Sequence, residues 1–102
     1  SETGQITVGH IIAETAVYFG VTVDDIKGPS RSRNLTMARQ IAMYLSRELT
    51  EHSFPQLGQH FGGRDHTTVM HAEKKIRQLI GERRPVYDQI TELTTQIRRR
   101  SH

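Results

Sequence analysis

An all-α domain of about six helices is the fold this sequence predicts, on three observations. Apolar residues recur at three- and four-residue intervals along most of the chain, whereas period-two alternation is scarce. Thr, Ser and Asp precede the periodic stretches and glycines follow them, as caps and stops do. Pro55 and Pro85 fall where a first helical turn tolerates a missing N–H.

The elements follow in order. Ile6 to Phe19 carries Ile11, Ile12, Thr15, Tyr18 and Phe19 at helical spacing, and Gly20 closes it. "VTVDDIKG" reads as a short helix capped by Thr22 and ended by Gly28. "PSRSR" is a loop by its chemistry, with two arginines among Pro and Ser. Leu35 to Thr50 is the longest amphipathic stretch: Leu35, Ala38, Ile41, Ala42, Leu45 and Leu49 form its apolar stripe, and Arg39, Ser46 and Arg47 are expected on the opposite face. In "SFPQLGQHFGG", Ser53 is the expected N-cap, Phe54, Leu57 and Phe61 the buried side, and Gly62-Gly63 the stop. Asp65 is placed to cap a helix from His66 to about Ile80. Val69, Ala72, Ile76, Leu79 and Ile80 turn inward on it, and His66, Thr67, His71, Lys74, Lys75 and Gln78 outward. Gly81 is expected to end that helix, and Pro85 to open a last one along Val86, Ile90, Leu93 and Ile97. A short helix, a Gly-containing turn and a longer helix with a polar start form the pattern of a helix-turn-helix unit, although any helical corner needs such a turn.

A chain of 102 residues, 34% of them hydrophobic, supports one core and fits one domain cut from a longer protein. It has no cysteine, which excludes disulfides and thiolate metal sites and suits a reducing cytoplasm. No apolar run nears the roughly 20 residues of a membrane span, and the N-terminus lacks a signal-peptide pattern. The formal charge is a modest +3, so its placement matters more than its size. Ile26 through Arg47 holds no Asp or Glu, yet carries Lys27, Arg31, Arg33, Arg39 and Arg47. A second run, Arg98-Arg99-Arg100, has the composition of a solvated tail.

The stretch "FGGRDHTTVMHAEKK" concentrates polar and β-branched residues at a helix start, where they are poor choices for stability. They suit a helix entering a major groove by its N-terminus. Asp65 can accept from cytosine N4, and a Thr methyl packs on a thymine methyl. Unpaired N–H groups there favour phosphate. Arg31 and Arg33, on a flexible basic loop, can enter a minor groove. Arg39, Gln40 and Arg47 on the long helix are placed for phosphates or a groove wall. Plainer readings coexist: Asp65 as an N-cap only, Thr68 as a solvated first-turn residue, the basic stretch as a solvated face. His60, His66 and His71 invite a metal, but His66 and His71 are not at the i, i+4 spacing of paired ligands, and no HExxH occurs. Two further classes remain: a helical module meeting an acidic partner through the basic face, and an enzyme using His66 with Asp65. For the latter, successive helix positions point about 100° apart, a poor geometry for a dyad.

"GGRDHTTVMHA", Gly62 to Ala72, resembles the signature of the DNA-binding domain of the bacterial DnaA replication initiators, as do "SRSRNLTMARQIAMYLSRELTEHSFPQLGQHF" before it and the helical stretch from Ile6. The resemblance spans nearly the whole chain and implies one monomeric domain binding double-stranded DNA at origin boxes of the TTATCCACA type. By that resemblance Arg31 enters the minor groove and Arg47, Asp65, His66 and Thr67 read bases in the major groove. Arg39, Gln40, Thr68 and His71 hold phosphates, with the Phe54-Pro55 backbone nearby and Arg33, Lys74 and Lys75 as further contacts. It also implies a cytoplasmic protein at the nucleoid, with no cofactor or metal in this domain and no catalytic role. Arg47 stands where a Lys also occurs in the family, and Ala38 where a Pro can. The family binds ATP through another module; no GxxxxGK[ST] phosphate loop occurs in this chain.

Overall fold

The computed structural model describes residues 6–100, and 1–5 and 101–102 lie outside the described residues. Six helices follow one another: α1 (Val8–Phe19), α2 (Val23–Lys27), α3 (Arg33–Leu49), α4 (Phe54–His60), α5 (His66–Glu82) and α6 (Arg84–Arg99). The all-α expectation and the helix count are both met.

Local chemistry accounts for most boundaries. Thr7 caps α1 by accepting from the His10 N–H at 3.1 Å, so the helix starts two residues after Ile6. Gly20 ends it in the left-handed region (φ 70°), donating to Ala16 and Val17 carbonyls. Reciprocal capping boxes start α2 (Thr22 with Asp25) and α4 (Ser53 with Gln56), satisfying otherwise orphaned amides. α3 begins at Arg33, ahead of the expected Leu35, which moves Arg33 from the loop into a first helical turn.

Gly81 does not stop α5. The helix runs through it to Glu82, and Arg83 alone then serves as C-cap of α5 and N-cap of α6. Gly81 is not among the positive-φ glycines, and an added Cβ there meets nothing within 4 Å among the described residues. Gly81→Ala is therefore expected to raise stability by about 0.5 kcal/mol by removing unfolded-state freedom. A lower urea midpoint for the variant would show that this backbone is not helical.

Two apolar clusters make the core, and α3 feeds both. Leu35, Ala42 and Met43 join Val8, Ile12, Ile26, Leu57, Phe61, Val69 and Ala72 on one side. Ile41 and Leu45 join Ile11, Ile76, Val86, Ile90, Leu93 and Ile97 on the other, which holds α6 against α1, α3 and α5. Because α3 is wrapped from several directions, its buried arc is wider than its apolar stripe. Ser46 is fully buried, and Arg39 is only 6% exposed, where an exposed face was expected. Arg47 alone of those three is exposed.

Candidate nucleic-acid interface

The α4–turn–α5 unit is built by backbone contact. Phe61 donates its N–H to the Leu57 and Gly58 carbonyls, each at 3.2 Å, and closes α4. Gly62 (φ 81°) and Gly63 (φ 76°) then take left-handed conformations that side chains resist. The chain folds back so that the Arg64 N–H reaches the Gly58 carbonyl at 2.9 Å. A Cβ on Gly58 would lie 2.1 Å from the Arg64 carbonyl oxygen. The double glycine was legible as a turn; Gly58 was not singled out, although a glycine inside a helical pattern is itself a signal of close approach.

At the start of α5, Asp65 occupies the N-cap position with extended backbone, but its side chain makes no capping hydrogen bond. Instead Oδ2 accepts from the Thr67 hydroxyl at 3.1 Å, and Oδ1 lies 3.0 Å from His66 Nδ1. This corrects two expectations. The carboxylate makes no full capping bond but turns to the Thr67 hydroxyl, with the Thr67 and His66 backbone amides close enough to favour its charge. The Asp65–His66 contact does form, because Asp65 precedes the helix and is not bound by its rotation of about 100° per residue. The Thr67 hydrogen bond, with the neighbouring His66 adding to it, holds the Asp65 carboxyl below its ordinary range.

Asp65, His66, Thr67, Thr68, His71, Lys74 and Lys75 are all exposed, and Met70 beside them is 42% exposed. The Thr68, His71 and Lys75 side of α5 borders a groove whose other wall is the end of α2 and the basic loop, while Asp65, His66 and Thr67 lie outside its lining. Arg31, Lys27, Gln40, Thr68, His71 and Lys75 line it together. Arg31 and Arg33 are exposed, but only Arg31 lines the groove. Lys74 lies on the exposed side of α5 away from that lining. Arg47 sits elsewhere, with its guanidinium 4.4 Å above the Phe54 ring and donating to the His52 carbonyl at 2.9 Å. Phe54 is half-buried and Pro55 exposed at the start of α4, beside this arginine.

Arg39 is buried rather than on the exposed face its sequence position suggested, although it also lines the groove. Nε donates to the Ile26 carbonyl at 2.6 Å, and Nη2 to those of Asp25 (3.0 Å) and Gly28 (2.9 Å). Withdrawing it leaves the Ile26 carbonyl short of a partner, at about 1–3 kcal/mol if it stays buried, whereas Asp25 and Gly28 keep the Gly28 N–H and Arg64 respectively. Burial, and then the neighbouring Arg64 charge, lower its pKa from the ordinary arginine value. Arg64, which the sequence reading placed only in the turn, donates to Phe61 (2.6 Å), Lys27 (3.1 Å) and Gly28 (2.5 Å) carbonyls. Nothing in local spacing announces bonds to partners 36 and 37 residues away.

Among the described residues no three His, Asp or Glu side chains gather to hold a metal ion. Two imidazoles, His52 and His60, stand 5.2 Å apart by ring centre. Among the same residues no helix is long and apolar enough to cross a membrane.

The family model described as "Bacterial dnaA protein helix-turn-helix" matches residues 8–76. The chain belongs to this family. The span matched to DnaA proteins includes the basic loop, the whole of α4, the glycine turn and the exposed start of α5. Over 93 residues, 91% of its length, the chain is 56% identical to the chromosomal replication initiator protein DnaA of Cutibacterium acnes. Over 88 residues, 86% of its length, it is 62% identical to the protein of the same name from Leifsonia xyli. Each match covers 19% of the relative, so the chain spans about a fifth of those DnaA proteins.

Proposed function

We propose that this chain is the site-reading domain of a bacterial replication initiator, binding double-stranded DNA at origin boxes of the TTATCCACA type. The observation that supports the reading is the groove, in which Thr68, His71 and Lys75 of α5 lie with Arg31 of the basic loop, next to the exposed helix start. A helix start in the major groove and a flexible arginine in the adjacent minor groove then engage one duplex together. Asp65, His66 and Thr67 face base edges, and Arg47 joins them after leaving Phe54. Gln40, Thr68, His71 and Lys75 take phosphates, with the Phe54-Pro55 backbone, Arg33 and Lys74 at the margin. Each box takes one copy of the domain. The protein works in the cytoplasm at the nucleoid, the domain itself needs no cofactor or metal, and ATP binding belongs to the remainder of the initiator.

Specifying and positioning residues separate experimentally. Thr67→Ala removes a methyl group proposed to rest on a thymine, and should cost about 1–3 kcal/mol on the box but little on random duplex. Lys75→Ala removes a phosphate contact that every sequence offers. It should weaken both duplexes alike and flatten the slope of log affinity against log salt by roughly 0.9. A salt titration of each variant on both duplexes reads these effects. If Thr67→Ala flattens the slope and leaves specificity unchanged, α5 is not the major-groove reader. Binding that ignores DNA sequence altogether returns the basic face to an acidic protein partner.

A further inference from the structure

We infer that Arg39 and Arg64 form a clamp on the end of α2 that fixes the basic loop, and with it Arg31, at a set distance from α5. The inference rests on the minor-groove reading of Arg31. α2 has five residues, and a helix that short leaves its last carbonyls with few internal partners. Four successive carbonyls there, Asp25 through Gly28, all receive a guanidinium: Arg39 takes Asp25, Ile26 and Gly28, and Arg64 takes Lys27 and Gly28. Positive charge at a helix C-terminus is favourable, which offsets the repulsion between two arginines sharing the Gly28 oxygen.

The two arginines come from different elements, α3 and the turn that introduces α5. Gly62 of that turn approaches the same place so closely that a Cβ would lie 2.3 Å from the Lys27 carbonyl oxygen. From Gly28 the chain passes through only Pro29 and Ser30 to reach Arg31. The loop and the α5 start are therefore anchored to one point, and the loop cannot shift along a duplex independently of the helix. Arg64 is a positioning residue, acting on DNA through Arg31, while Arg39 braces the same carbonyls from the groove wall.

The test is a double-mutant cycle with Arg64→Gln and Arg31→Ala, singly and combined, on an origin box and on a box whose A·T steps beneath the loop are G·C. A clamp predicts a loss of roughly three- to thirtyfold for Arg64→Gln with Arg31 present, nearly none once Arg31 is gone, and little on the G·C box. Arg64→Lys, the milder variant, keeps the charge but cannot span two carbonyls, so it should fail to restore affinity. In the DNA-free protein, amide order parameters at Ser30 and Arg31 should fall in both Arg64 variants while those in α5 hold. Losses that multiply across the cycle, or rescue by Lys, mean that Arg64 touches DNA itself and overturn the clamp; so does an unchanged loop. If Arg31→Ala costs nothing on the A·T box, the minor-groove reading fails instead, and the order parameters still judge the anchor.

Discussion

Gly58→Ala is expected to destabilise the domain by about 3 kcal/mol and to weaken box binding at the same time, because one methyl group forces open the turn that aims α5. Gly58 is a buried helical position whose added Cβ would sit 2.1 Å from a backbone oxygen, that of Arg64. A backbone atom cannot swing aside as a side chain does. Relief requires moving the turn, which breaks the Arg64 N–H bond to the Gly58 carbonyl and shifts Asp65 and His66 relative to the loop. Gly63→Ala is the informative control. Its φ is positive but nothing lies within 4 Å of the added Cβ among the described residues, so it should cost only the conformational strain of about 1–2 kcal/mol. Urea melts and gel-shift titrations of the two variants separate contact from conformation. Equal losses would show that Gly58 is not in close contact with the turn.

The second large effect is expected at Phe61. Its ring is fully buried in the cluster shared by α1 to α5, directly before the two left-handed glycines. Phe61→Ala removes that apolar surface from the core and leaves a cavity, at about 3–5 kcal/mol. Domains of this size hold about 5–15 kcal/mol in total, so the variant should be partly unfolded near physiological temperature. Phe54→Ala should cost much less, since that ring is half-buried and lies under the exposed Arg47 guanidinium. Chemical denaturation with an unchanged m-value is the measurement. A cost below about 1 kcal/mol would contradict the burial of Phe61.

Helices were legible in the sequence where their signals are local. Thr22 with Asp25, and Ser53 with Gln56, satisfy each other's backbone within three residues, and Gly20 stops α1 in a left-handed turn next to its last residue. Gly81 misled because the roughly 1 kcal/mol penalty of a helical glycine is outweighed by the packing of Ile76 and the half-buried Leu79 and Ile80 beside α6. Arg39 misled because stripe arithmetic assigns every charge to water, whereas the bare carbonyls it satisfies belong to α2, 11 to 14 residues upstream. Of the candidate site, the exposed start of α5 was readable as a run of short polar residues. Its assembly with the basic loop into one groove depends on Gly58, Gly62 and Arg64, whose roles are backbone approaches and long-range bonds that no spacing records.

The seam that holds α6 against α1 has a kinetic meaning. His10 Nε2 meets the Ile97 carbonyl at 3.1 Å across 87 residues, joining α1 to α6. Closing a chain segment of that length carries more entropy loss than any local turn, so contacts of this kind form late in folding. The α4–α5 turn, by contrast, is tied by the Gly58–Arg64 bond over six residues. The α4–α5 corner is therefore expected to assemble before α1 and α6 meet, which makes the seam between those two helices a late step of folding.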